Sequence, residues 1–289
     1  MFSSPALLAL GASFFFGLAL VLTQFGLRHM RPGEGTLISI PLLSAIAWLL
    51  AVFVLDFRDW NTRGFLIFAA VGLAYPALVT LLTYESNRLM GPGVAGALGN
   101  IAPLFAVVGA ALLLGEFPGP VQTAGIAAIV VGVIALSLRG GQATGRSWPY
   151  WAAALPLGAA LIRGVAQPLT KLGLAHWPSA FAAALFGFTA STVVVVSIAV
   201  VRHRGWPTGF SRPGIFWFCC IGLSNGMAVL CLYAALARGS VALVAPLTAT
   251  YPLITLILSA LLLRSEKITA LIVGGVTIIV AGVVALLWT

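Results

Sequence analysis

Residues 1–140 of this chain are repeated, loosely, in residues 149–289. Gly11, Gly17, Gly26, Leu27 and His29 return 147 positions later as Gly158, Gly164, Gly173, Leu174 and His176. Gly64, Phe68, Gly72 and Leu73 return after 150 positions as Gly214, Phe218, Gly222 and Leu223. Pro103 is matched by Pro252, and Glu116, Gly125 and Gly132 by Glu266, Gly275 and Gly282. An offset that drifts so little marks a duplication rather than shared composition. Each copy carries five long apolar segments, and residues 141–148 connect the copies. An odd number of crossings makes the second copy enter a membrane from the opposite side. Inverted halves around a site near the bilayer midplane are a common construction of secondary transporters.

The solvent follows from composition. With 61% hydrophobic and 7% charged residues, the chain cannot hide its apolar surface in a water-soluble globule. A helix crosses the hydrocarbon with about 20 apolar residues. Ten such segments are expected, at 5–27, 36–55, 64–84, 92–114, 120–138, 149–170, 179–201, 212–235, 239–263 and 268–288. The expected fold is therefore an all-α membrane protein of ten transmembrane helices. Met1 to Ser4 lack the basic flank of a signal peptide, and the first apolar run reads as a retained span. Trp60, Trp148, Trp151, Trp177, Trp206 and Trp288 fall at span edges, where an indole ring sits in the interface with its N–H wet.

The net charge of +9 is spread over the loops. It reads as topology charge and lipid-headgroup contact, not as a nucleic-acid surface. With a cytoplasmic N-terminus, the inside loops would hold four basic residues and the outside loops ten, which by the positive-inside rule favours both termini outside. Cys219, Cys220 and Cys231 share one span and suggest neither a disulfide framework nor a metal site. There is no Ser/His/Asp set, no metal-ligand spacing and no phosphate loop, so no enzyme, cofactor or ATP-driven pump is indicated.

Polar groups inside spans are costly and mark candidate function. Arg163 lies mid-span in the sixth segment, with Gln167, Thr170 and Lys171 following on the same helical face. Their repeat mates in the first half are apolar: Phe16 for Arg163 and Leu20 for Gln167. That asymmetry points to substrate; pairing with Glu85, or an Arg snorkelling from an offset helix, is the alternative. The third segment carries Pro76, Thr80, Thr83 and Asn87, beside Tyr84 and Glu85. Its mate, the eighth, carries Ser224, Asn225 and Tyr233, with Tyr84 aligned on Tyr233. Glu85 is either a solvated end charge or an acid for a proton relay or an amine. Asn100 and Pro103 stand in the fourth segment, and Pro246, Thr248, Thr250, Tyr251 and Pro252 in the ninth. Proline weakens a helix ladder, and paired breaks in corresponding segments point to a binding site and its gating. The paired glycines of segments five and ten suit close helix packing, within the chain or in a homodimer.

In the stretches Asn100-Ile101-Ala102-Pro103 to Leu114-Gly115-Glu116, with Gly125 and Gly132, and Tyr251-Pro252 to Leu263-Arg264-Ser265-Glu266, with Gly275 and Gly282, the chain resembles the drug/metabolite transporter superfamily in its ten-helix EamA form. Ser265 stands where the pattern has Gly. The resemblance covers two repeats, about 10–138 and 152–288. It implies a cavity lined by segments one, three, four, six, eight and nine, with five and ten outside, and alternating access by rocking bundles. It also implies both termini in the cytoplasm of a bacterial inner membrane, against the charge count above. Small multidrug exporters of that superfamily use a Glu in helix one; here that helix offers Thr23 and Gln24 and no acid. A deep cation favours a substrate with a carboxylate or phosphate. The first expectation is an exporter of small polar metabolites, amino acids or related zwitterions, with proton coupling among its expected partners. Arg163 would hold the carboxylate. Gln167, Lys171, Gln24, Thr80, Tyr84, Glu85, Asn100, Asn225, Tyr233, Thr248 and Tyr251 would complete the site. The alternative is a multidrug or cationic-amine exporter. A monomer suffices to build the site.

Overall fold

The structure is a computed structural model and describes residues 4–90, 92–140, 149–203, 209–263 and 270–288. Among the described residues thirteen α-helices make ten crossings. Six crossings contain one continuous α-helix: α1 (Pro5–Gly26), α2 (Pro32–Val54), α7 (Pro120–Gly140), α9 (Ala180–His203), α10 (Arg212–Leu236) and α13 (Ala270–Leu287). The sixth crossing is α8 (Ala154–His176), entered through a short 3-10 turn at Tyr150–Ala153. The other three are broken. The third is α3 (Thr62–Ala74) then α4 (Ala77–Met90), the fourth α5 (Pro92–Gly99) then α6 (Ala102–Leu114), and the ninth α11 (Val241–Thr248) then α12 (Tyr251–Leu263). There is no strand among the described residues. Among the described residues eight helical segments are long and apolar enough to cross a membrane, and Pro120–Leu136 and Val273–Leu287 are shorter apolar helices.

Local sequence explains where the helices start and stop. The side chains of Ser4, Asn61, Ser211 and Ser240 each accept a backbone N–H of the first turn that follows. Such caps satisfy amides that have no intrahelical partner. Gly115 ends α6 with φ of 68°, a left-handed conformation that glycine adopts at no steric cost. Prolines set the breaks. Pro103 and Pro252 occupy the first turns of α6 and α12, where a missing N–H costs nothing, and the preceding residues drop out of the helix. Pro76 separates α3 from α4, whereas the corresponding stretch around Asn225 keeps its N–H groups and α10 runs unbroken.

The packing is symmetric under exchange of the halves. α1 packs on α10, and their mates α8 and α3 pack on each other. α6 meets α8, as α12 meets α1; α3 meets α9, as α10 meets α2. α7 packs on α13, and α2 on α9. Ten crossings bring Pro5 and Leu287 to the same membrane face, so each half is threaded opposite to the other.

The glycine pairs of α7 and α13 are spent inside the chain. A Cβ on Gly282 would lie 2.8 Å from the Gly125 carbonyl oxygen, and one on Gly132 would lie 2.7 Å from the Ile279 side chain. The two backbones approach as small residues allow in a membrane. The outer surface is apolar: Val52, Phe53, Leu112 and Leu261 stand exposed where lipid chains contact a multi-pass protein.

One aromatic does not sit at the interface as its position at a span edge suggests. Trp177 is only 2% exposed. α3 and α9 converge on it, and its ring lies 5.3 Å from Trp60 and 5.6 Å from Phe186, centroid to centroid. Trp60, Trp151 and Trp288 are exposed; Trp148 and Trp206 lie outside the described residues. Trp177→Ala is expected to cost about 3 kcal/mol, the scale for emptying a buried aromatic site. A melting curve in detergent measures it, and Trp151→Ala, at an exposed site, is the control that leaves the curve in place.

Candidate functional site

The breaks in spans four and nine fall at corresponding places in the two halves and bring polar side chains to the middle of the bundle. Asn100 stands at the α5–α6 break, and Tyr251 opens α12 just past the α11–α12 break. Arg163 reaches them from the middle of α8. Its Nη1 donates to the Tyr251 hydroxyl at 3.2 Å, and that hydroxyl donates to Asn100 Oδ1 at 2.9 Å. Among the described residues no carboxylate pairs with Arg163. Phe16, the repeat mate of Arg163, meets the same tyrosine edge-on at 6.3 Å. Related positions of the two halves thus converge on Tyr251, one on its ring and one on its hydroxyl.

These groups line a cavity of about 270 Å³. Arg163 is the one charged side chain among its described lining residues. Gln167 and Thr248 line it too, at 8% and 6% exposure, and Gln167 Oε1 and Thr248 Oγ1 are buried without a hydrogen-bond partner. Gln167 lies one helical turn from Arg163 on α8, and Thr248 three residues before Tyr251. α8 runs toward the face where α11 begins, because Lys171 touches Gly239. Gln167 and Thr248 therefore stand at one level, a turn nearer that face than the Arg163–Tyr251 pair. Thr80, Asn225, Tyr233 and Pro103 complete the expected residues found on the wall. Thr80 and Thr170 satisfy their hydroxyls on the carbonyls of Pro76 and Ala166, at 2.9 and 2.7 Å.

Other expected site residues stand elsewhere. Lys171 lies beyond the lining and donates to Glu116 and to the Gly239 carbonyl oxygen. Gln24 is exposed at the end of α1, and Glu85 is half-buried in α4; neither lines the cavity. The prolines Pro246 and Pro252 also lie outside the lining. Pro246 sits within α11, which continues through it. The side chain of Tyr84 is outside the described residues, as are the 141–148 connector and Glu266.

The wall also draws on spans two and seven, which the expected set of lining helices omits. Thr36, Ser39, Ile40 and Leu43 of α2 line it, as does Phe188 of α9. α2 packs between α9 and α10, so its inner face has nowhere else to look. The signal was in the sequence: these four positions follow the i, i+3, i+4, i+7 spacing of one helical face, with two hydroxyls on it. Tyr75, at the α3–α4 break, is a further wall residue that the span pattern passed over.

A family model described as EamA-like transporter family matches residues 3–138 and 150–288. No curated protein sequence matches significantly. A solved structure described only as "Crystal structure of protein" superimposes with a TM-score of 0.79 over 97% of this chain and 95% of its own, at 16% identity. At that identity the likeness speaks to the fold alone.

Proposed function

We propose, from the premise that this chain belongs to the EamA-like transporter family, that it moves small carboxylate-bearing metabolites across a bacterial inner membrane by alternating access. Amino acids and related zwitterions are the substrates in view, and export is the direction. The observation that carries this reading is Arg163: a guanidinium in the middle of a span, hydrogen-bonded to a neutral tyrosine, in a lining without an acid among the described residues. A cation so placed, with no carboxylate partner among the described residues, offers two parallel N–H donors to a carboxylate.

The rest of the wall suits a zwitterion. Gln167 is four residues from Arg163, about 6 Å along the helix axis. Its unpartnered oxygen and that of Thr248 are acceptors for an ammonium at that level. A substrate with no donor there leaves both unsatisfied, at roughly 1–3 kcal/mol for each buried group. Multidrug or cationic-amine export, the second reading, asks for a carboxylate in the wall, and no observation favours it.

The test is a thermal-shift comparison of free amino acids with their methyl esters, using the purified protein in detergent. Ligand at about 100 times its Kd stabilises the native state by about 2.7 kcal/mol, several degrees of melting temperature. The acids are expected to raise the melting temperature and the esters to leave it unmoved. Shifts from esters or lipophilic cations, with none from acids, overturn the proposal.

A further inference from the structure

At the membrane face that holds both termini, four groups from three segments close on one another. Lys171, near the end of α8, donates to a Glu116 carboxylate oxygen and to the Gly239 carbonyl oxygen at 2.6 Å. The other Glu116 oxygen accepts the Val241 N–H at 2.8 Å. Glu116 belongs to the first half, just past α6; Lys171, Gly239 and Val241 belong to the second. The clasp therefore ties the halves together across their interface.

Its position relative to the cavity is specific. Thr170 lines the cavity and Lys171 is the next residue; Ala245 lines it, four residues past Val241. The clasp sits where the wall ends on this side. Lys171 and Glu116 are 24% and 21% exposed at their side chains, so water reaches the pair from outside. Both carboxylate oxygens of Glu116 are satisfied by donors of the opposite half, the Lys171 ammonium and the Val241 N–H, which is a discrete arrangement. Parting the halves at this face breaks both Glu116 bonds, to Lys171 and to the Val241 N–H, and leaves Lys171 on the Gly239 carbonyl of its own half.

The repeat keeps the acid but not this cation. The 147-residue offset maps Lys171 onto Gln24, and Glu116 is matched by Glu266. The position that matches Lys171 is thus uncharged in the first copy. The geometry points to the Lys171–Glu116 clasp as the latch that holds the cavity shut toward the termini. This rests on the transport reading for its purpose, but its test does not depend on a substrate.

Cys219, Cys220 and Cys231 are replaced by Ala, and Ala245→Cys places one thiol on the wall beside the clasp. A membrane-impermeant maleimide is then applied to oriented vesicles from each face, with a tag on a terminus reporting orientation. Glu116→Gln is expected to speed labelling from the terminal face at least tenfold, and Glu116→Asp to leave it near the parent rate. Lys171→Met removes the same ion pair from the other side and should reproduce the Gln result. Parent-like rates in both Glu116→Gln and Lys171→Met overturn the latch. So does equal acceleration from the two faces, which would mean general loosening. Failure of carboxylates to bind would count against the function above and leave this result standing.

Discussion

Arg163→Gln is expected to cut carboxylate uptake into liposomes about 100- to 1,000-fold while leaving the protein folded. Hydrogen bonds to charged groups contribute roughly 1.5–3 kcal/mol each, and a bidentate pair loses about 3–4 kcal/mol, two to three decades of rate. The expected stability change is small. Arg163 donates at 3.2 Å to a neutral hydroxyl and pairs with no described carboxylate, so its removal relieves an unneutralised charge as it breaks one bond. The melting temperature should stay within about 4 °C of the parent. Arg163→Lys keeps the charge but loses the planar fork, and its uptake should fall between the two. Uptake and melting temperature falling together, in proportion, would make Arg163 a packing residue. Full uptake in Arg163→Gln would remove it from the site.

The second large effect is steric. A Cβ on Gly164 would lie 2.6 Å from the Ala102 carbonyl oxygen, 2.6 Å from Phe105 Cβ and 3.0 Å from the Ala106 nitrogen. Two of these are backbone atoms, which cannot rotate away. Gly164→Ala therefore forces α8 and α6 apart at the level of Arg163. Overpacking of this kind costs about 1–3 kcal/mol, and the upper end is expected here, a fall of roughly 6–12 °C in melting temperature. Gly164→Leu should yield no monodisperse protein. Gly274 is the control. A Cβ there meets nothing within 4 Å, and in mid-helix Ala outranks Gly by about 0.5–1 kcal/mol, so Gly274→Ala should stabilise slightly. Equal behaviour of the two variants in a melting assay would mean that the α6–α8 contact is not close.

Gly164 and Gly17 show how a duplicated sequence carries packing information. Both keep their glycine because each sits at a close crossing between halves: α8 on α6, and α1 on α12. A Cβ on Gly17 would lie 2.8 Å from Ile254. A repeat of small residues at a fixed offset is legible without coordinates, because the same crossing occurs twice. Arg163 was legible for the opposite reason, as a charge whose repeat mate is Phe16. The clasp was not. Helical spacing puts Lys171 on the same face as Arg163 and suggests that both serve one site. Two turns separate them along the axis, about 12 Å, and at that remove Lys171 meets Glu116 of the other half.

The amino-acid sequence by itself determined the solvent, the number of crossings, the inversion of the halves and the mid-span depth of Arg163. Each follows from hydropathy, helical periodicity or an odd count of spans, which are properties of near neighbours along the chain. Tertiary structure alone decided that Tyr251 joins Arg163 to Asn100, that spans two and seven help to wall the cavity, that Trp177 is buried at a span edge, and that Lys171 answers to Glu116. Those outcomes depend on how helices cross and rotate against partners on other spans, for the Lys171–Glu116 and Tyr251–Asn100 pairs more than 50 residues away, and no local pattern of side chains specifies a crossing.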